Sequence, residues 1–263
     1  MNQIKAIWAY KFFILNSIKT EFKTKFARSR LGGLWMILHP VAQVAIYALV
    51  LSAVLSAKLP GIDNQYAYAI YLMAGTLAWS VFLEVISKSL TVFVDNGNLL
   101  KKMAFPKITL PVIILGSSLI SNILLFLAIL VVFSLLGHLP NAQILWLPFL
   151  MILVLALSVG LGLILGVINV FVRDIGQITP ILLQFWFWLT PIVYTIDMLP
   201  QHYKIFFMLN PMTSIVQAYQ SILVYGTTPN FYALLYPICL SIFSLSLALF
   251  IFVRANEEMA DVL

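Results

Sequence analysis

The stretch Gln184-Phe185-Trp186-Phe187-Trp188-Leu189-Thr190-Pro191-Ile192-Val193-Tyr194 decides how the rest of the chain is read. Five of its eleven residues are aromatic, and it lies in an apolar run that begins near Ile178. A Thr-Pro pair interrupts that run, and a segment of mixed polarity follows to about Asn230. Trp and Tyr rings are amphipathic and favour places where an apolar wall meets polar matter. Two readings stand at this point. The rings form a membrane-interface belt that packs helices, or they form a surface over which a polar substrate slides, because sugar rings stack on aromatic faces. Helical spacing sets one limit on the second reading. Phe185 and Trp186 cannot share a helix face, so not every ring can line one path.

Composition settles the broad class. The 263 residues are 62% hydrophobic and 9% charged, against roughly 25% charged in a soluble domain. That is the profile of a polytopic membrane protein. The net charge of +6 is therefore no nucleic-acid signal. In such a chain Lys and Arg mark cytoplasmic loops and phosphate-bearing headgroups. The single cysteine, Cys239, allows no internal disulfide and is read as packing. No cleavable signal is expected, since the first apolar run starts only after some 33 residues.

Crossing an apolar core of roughly 30 Å takes about 20 helical residues. Six apolar runs meet or approach that length, at 35–57, 68–90, 109–136, 145–171, 178–195 and 231–253. An even count puts both termini on one side. The seven Lys/Arg of residues 1–33, with Lys88, Lys101, Lys102, Lys107, Arg173 and Arg254, then fall on the terminal side, and only Lys58 and Lys204 fall on the other. By the positive-inside rule both termini are cytoplasmic. The expected fold is an all-α integral membrane protein. It has a cytoplasmic amphipathic segment at 1–33, a six-span domain at 34–253 and a short cytoplasmic tail at 254–263. Leu15, Ile18, Phe22 and Phe26 recur at helical spacing within the basic first segment, so that helix should lie in the membrane surface. It serves either as an anchor in anionic lipid or as a docking element.

Between spans two and three, Asp95-Asn96-Gly97-Asn98 is a turn signal. A short amphipathic piece follows and stops at Pro106. It is an ordinary basic loop or a segment suited to a partner's groove. Ser158, Gly162 and Gly166 are spaced by four, which allows close helix approach in lipid. Arg173 is expected to pair with Asp174, and Glu84 with Lys88 one turn on. Within 196–230, short apolar pieces flanked by Pro and Asn suggest re-entrant helices between spans five and six.

Some chemistry is missing. The chain has no phosphate loop, and not even a Gly-Lys dipeptide. His39, His138 and His202 are scattered, and no paired acids or nucleophile–base set stands at site spacing. No catalytic residue, metal site or cofactor is assigned. A membrane-embedded glycosyl- or acyltransferase would need acid or His clusters. An ion-coupled carrier would need ionisable groups at mid-membrane. Neither pattern is evident.

Several short motifs, in order, resemble one family. Arg28-Ser29-Arg30-Leu31-Gly32-Gly33-Leu34-Trp35 before Pro40 looks like the entry motif of the permease subunits of polysaccharide-exporting ABC transporters. Asn98-Leu99-Leu100-Lys101-Lys102, Phe105-Pro106-Lys107 and Pro111 resemble that family's cytoplasmic loop. Arg173-Asp174-Ile175, Thr190-Pro191-Ile192-Val193-Tyr194 and Leu209-Asn210-Pro211-Met212-Thr213 complete the series. The closest group is the O-antigen exporters (Wzm-type); capsule and teichoic-acid permeases share the pattern. The resemblance implies a non-enzymatic, channel-forming subunit of the bacterial inner membrane that moves lipid-linked polysaccharide to the periplasm. It implies a second copy of this chain and two copies of a separate ATPase that holds ATP and Mg. Residues 15–30 would cradle that ATPase, and 96–105 would be the coupling helix, with Leu99, Lys101, Lys102 and Phe105 in contact. Phe185, Trp186, Trp188 and Tyr194 would line the channel. Residues 199–224 would be outer gate helices, with Asn210 and Pro211 as gate residues. Arg28 and Arg30 would meet the lipid diphosphate or headgroups, since Arg suits bidentate phosphate contact.

Overall fold

The structure is a computed structural model that describes residues 3–26, 31–35, 38, 42, 67–102, 106–138, 140–198, 200–255 and 258–262. Those residues form helices and connecting turns, with no strand among them. In chain order the helices are α1 (Gln3–Ala9), α2 (Lys11–Phe26), α3 (Ala67–Asp95), α4 (Gly97–Lys102), α5 (Thr109–Leu135), α6 (Leu147–Phe171), α7 (Asp174–Trp188), α8 (Gln201–Met208), α9 (Pro211–Leu223), α10 (Phe231–Ala255) and α11 (Glu258–Val262). The first expected span, 35–57, lies almost wholly outside the described residues, as do Arg28, Arg30 and Phe105.

Four helices are long and apolar enough to cross a membrane: α3, α5, α6 with the short 3-10 turn before it, and α10. They coincide with the second, third, fourth and sixth apolar runs. The fifth run departs from expectation. α7 starts earlier, at Asp174, and stops at Trp188, well short of Tyr194. Its 15 residues rise about 22 Å, less than the apolar core needs. The cause is local. Pro191 has no N–H and pushes Thr190 away from helical torsions, so the chain turns.

α3 is the central helix, and Leu72, Ala74, Ala78, Phe82, Val85 and Phe93 are fully enclosed. α6 packs along it through small residues. A methyl on Gly166 would collide with the carbonyl oxygen of Ser89, and one on Gly162 would stand 2.8 Å from Ser89 Cβ. On another side of α6, a methyl at Gly160 would strike Ser244 of α10. The small-residue stripe is thus a packing seam, as the spacing suggested. Gly166→Ala is expected to destabilise the chain by about 1–3 kcal/mol, because the obstacle is backbone and cannot swing aside. A detergent-solubilised sample should melt at lower temperature; an unchanged midpoint would show that α3 and α6 can separate freely.

Two polar side chains tie neighbouring helices to α3, one from α6 across this seam and one from α5. Asn169 donates to Leu90 O at 2.9 Å, and Asn122 donates to Leu77 O at 3.1 Å. α5 and α10 are peripheral and expose Leu127, Val131, Ile242, Phe243 and Phe250. Cys239, read as packing, is instead exposed on this outer helix. α5 ends at Gly137, whose φ of 72° is the left-handed turn that glycine adopts without strain. Its N–H reaches Ser134 O, and the N–H of His138 reaches Phe133 O, which caps the last turn.

α2 packs on α5 with part of the expected stripe, Leu15 giving way to Ile14. Ile14 and Ile18 are buried, whereas Leu15 is exposed. Gly116 makes room for Ile18, since a methyl there would meet Ile18 Cδ1. Trp8, Phe12 and Leu15 remain exposed beside the lysines, the composition of a helix at a membrane surface. The expected Glu84–Lys88 ion pair is present at 2.7 Å, and α2 adds Glu21 to it at 2.6 Å from Lys88 Nζ. Lys88 also donates to Ser117 Oγ of α5 at 3.0 Å. This cluster ties α2, α3 and α5 together at one end of the bundle. α11 lies at the same end, against α4 and α6, with Met259 fully buried. Arg173 and Asp174, expected to pair, form no ion pair with each other; Asp174 instead occupies the first turn of α7, where the helix dipole favours an acid.

Candidate functional site

At the opposite end of the bundle, the chain between Trp186 and Tyr194 leaves the helix while enclosed by other helices. Each carbonyl freed there must find a partner, since an unpaired one in an apolar environment costs several kcal/mol. Side chains supply those partners. The Thr190 hydroxyl donates to Trp186 O at 2.8 Å. Tyr194 Oη donates to Trp188 O at 2.8 Å. Asn210 Nδ2 donates to Leu189 O at 3.1 Å. Gln220 Nε2 reaches Pro191 O at 3.2 Å. Tyr68 Oη donates to Val193 O, and Tyr71 Oη donates to Tyr194 O at 3.1 Å. The turn is thus held by residues from α3, from α9 and from the α8–α9 junction.

Asn210 is the most heavily used of these. Its Oδ1 accepts from Met212 N at 3.0 Å and so caps α9, with Pro211 at the first helical position. The same oxygen accepts Trp186 Nε1 at 2.8 Å. Its Nδ2 serves both Leu189 O and Thr190 Oγ1, the latter at 2.9 Å. One side chain therefore joins the end of α7 to the start of α9.

The aromatic stretch is divided between two faces. Phe187 is buried, edge-on to Trp79 at 5.6 Å between ring centres. Trp186 is half-buried, edge-on to Phe82 at 5.1 Å. Phe185 and Trp188 point the other way and are 66% and 53% exposed, alongside exposed Ile178, Ile181, Leu182 and Leu189. Tyr194 is half-buried, with its hydroxyl engaged and Phe207 edge-on at 6.1 Å. Of the four expected channel residues, Phe185 and Trp188 share an open face, while Trp186 is committed to packing and to Asn210.

Beyond the turn, α8 exposes Tyr203, Ile205, Phe206 and Met208, and α9 is largely buried between α3, α6 and α10. α9 has 13 residues, too few to cross the core. The loop after α5 closes over its end. His138 Nε2 meets Leu223 O at 2.7 Å, and Asn141 Nδ2 donates to Gly226 O at 2.6 Å. Sequence reasoning left His138, Tyr68, Tyr71 and Gln220 without a role, because their partners lie between 29 and 125 residues away.

At the other end, α4 follows α3 after one turn at Asn96, which caps its own helix through Val92 O at 2.8 Å. Leu100 is buried and Lys101 exposed. Leu99, Glu21, Lys88, Asp95 and Asn96 border a crevice of about 350 Å³ between α2, α3 and α5. Among the described residues, no group of three or more His, Cys, Asp or Glu comes together as a metal site would require.

Comparison with known proteins gives this arrangement a family. The family model for ABC-2 type transporters matches residues 14–224, which include the α7 turn, α8 and α9. The chain belongs to the ABC-2 type transporter family. It is 26% identical over 260 residues to the O-antigen export system permease protein RfbA of Myxococcus xanthus, covering 98% of both chains. To the protein of the same name in Klebsiella pneumoniae it is 26% identical over 211 residues, 79% of this chain and 78% of that one. To the polysialic acid transport protein KpsM of Escherichia coli it is 25% identical over 239 residues, 90% of this chain and 91% of that one. By name these relatives are export permeases and a transport protein, and the long apolar helices of this chain make it a multi-pass membrane protein.

Proposed function

We propose that this chain is the channel-forming permease subunit of an ATP-driven exporter of lipid-linked polysaccharide of the O-antigen type. The full-length similarity to an O-antigen export permease carries the reading. The similarity to KpsM supports a capsule polysaccharide as the second reading. Six passes complete the fold: the run 35–57 joins α2 at one end to α3, which begins at the other, and α7 makes the fifth pass with the turn through Tyr194 added to its 15 residues. Both termini face the cytoplasm of a bacterial inner membrane, since α2 and α11 lie at the bundle end that carries Lys88, Lys101, Lys102 and Arg254. The subunit itself is not an enzyme. ATP and Mg belong to a partner ATPase present in two copies, seated on α2 and on the 96–105 segment through Leu99, Lys101, Lys102 and Phe105. Two copies of the permease enclose the path. α8 and α9 form the re-entrant outer gate, hinged at Asn210 and Pro211. Arg28 and Arg30 hold the diphosphate of the lipid carrier at the inner rim.

Phe185 and Trp188 are the rings available to the moving glycan, because they share the open face of α7. Stacking on a nucleic-acid base, a comparable planar contact, contributes about 1–3 kcal/mol per ring. Weak, repeated contacts of this kind suit a chain that must keep moving. The experiment is co-expression with an ATPase subunit and measurement of surface glycan. Phe185→Ala with Trp188→Ala should lower export about tenfold while the protein inserts normally. Trp186→Ala should instead act through stability. Full export by the double variant would assign the exposed rings to lipid contact. Export with no ATPase present would overturn the whole reading.

A further inference from the structure

One face of α9 is polar, and nothing assigned so far uses it. Ser214, Gln217, Ala218 and Ser221 recur at helical spacing and border a cavity of about 430 Å³. Thr195, Asp197, Tyr225 and Asn230 complete its polar lining, and Tyr71 and Gln220 connect it to the α7 turn. Neither Phe185 nor Trp188 is among the residues that line it.

The lining carries unused hydrogen-bonding capacity. Thr195 is nine-tenths buried, and its Oγ1 has no hydrogen-bond partner. Among the described residues, the side chains of Ser214 and Gln217 also find none. A buried hydroxyl such as that of Thr195 is normally paired, and with part-exposed Ser214 and Gln217 beside it the cavity offers donors and acceptors to water or to a polar ligand. The charge balance narrows the choice. Asp197 is the only acid in the lining, and Lys204 neutralises it at 3.2 Å. No free cation stands there to hold a phosphate, and no free acid to hold an amine. Burial and the neighbouring Asp197 raise the Tyr225 pKa, so its hydroxyl stays neutral. Its ring is part-exposed at the mouth and offers a stacking face. The volume falls within the range of small-molecule sites. Hydroxyls, amides and one ring, without net charge, match a neutral polyhydroxyl ring.

We propose that this cavity is a saccharide subsite in each protomer, taking one neutral sugar unit through Thr195, Ser214, Gln217, Ser221 and Asn230. The proposal rests on the polysaccharide-export reading and adds a place where the outgoing glycan is held beside the gate. Because Gln220 and Tyr71 border the cavity and also bond the α7 turn, a bound sugar would act on the segment that positions α8 and α9.

The test is saturation-transfer NMR on the full-length chain in lipid nanodiscs, with free glucose, galactose, mannose, rhamnose and N-acetylglucosamine offered one at a time. At least one should show transfer. Ser214→Val with Gln217→Leu should weaken that binding about tenfold, whereas Leu127→Ala, on the exposed face of α5, should leave it unchanged. A second measurement does not depend on the double variant folding. With Cys239→Ser as background, Ser214→Cys should be alkylated by a small polar reagent, and the bound sugar should slow that reaction. No transfer to any of the five sugars, transfer undiminished in a folded double variant, or alkylation unaffected by sugar would each overturn the proposal. These measurements need neither ATPase nor export. Their failure leaves the export reading standing, and a failure of export leaves their result intact.

Discussion

Asn210→Ala should be the most damaging single substitution in the chain. The change removes the cap of α9, worth about 1 kcal/mol. It also strands Trp186 Nε1 and Leu189 O, which Asn210 now satisfies. Trp186 Nε1 is part-buried and its orphaning costs about 1–3 kcal/mol, whereas Leu189 O lies at an exposed position where water can take the amide's place. A total loss of about 2–4 kcal/mol is expected from the lost cap and the orphaned indole N–H. The melting temperature in detergent should fall accordingly, and export should be lost. Asn210→Asp separates the contributions. It keeps an oxygen for Met212 N and Trp186 Nε1, but sets a carboxylate against Leu189 O in place of a donor. Its melting temperature should lie between those of wild type and Asn210→Ala. If Asn210→Ala melts like the wild type, the turn is not held as described.

The same residue shows where sequence reasoning stops. Four of the six apolar runs reappear as α3, α5, α6 and α10 with ends displaced by a few residues, because twenty apolar residues in lipid have one good conformation. The Thr190-Pro191 break was visible too. Its consequence was not, since the fate of the freed carbonyls depends on Tyr68 and Tyr71, more than a hundred residues earlier. Helical spacing showed that Phe185 and Trp186 must part, but not which of them turns inward. That depends on Phe82 and Asn210. On α2 the period was right and Ile18 is buried as expected, but Ile14 rather than Leu15 joins it, because Gly116 on α5 takes up Ile18 and Ile14 lies one turn before it. The Glu84–Lys88 pair could be read from a spacing of four, whereas Glu21 joins it from 67 residues away. In each case local pattern yields the element, and a distant contact decides its setting.

Replacing residues 99–105 with Gly-Ser should abolish export while leaving membrane insertion intact. α4 leaves α3 through a single turn at Asn96, so a push on α4 passes directly into the central helix of the bundle. Leu100 is buried, and α11 lies against α4 with Met259 enclosed, so the segment is gripped from two sides. A Gly-Ser chain of the same length is a flexible coil and transmits no such push. The spans themselves do not depend on this segment, because α3 and α6 are held by the Ser89 seam and by Asn169. The replaced protein should therefore reach the membrane in normal amount and still co-purify in part with its ATPase through α2. ATP hydrolysis should continue, uncoupled from surface glycan. Lys101→Glu provides a milder version, since this exposed lysine forms no ion pair among the described residues and its reversal should weaken the ATPase association alone. Normal export by the Gly-Ser variant would mean that the motor acts on the permease through α2 and α11, and that α4 only closes the loop between α3 and α5.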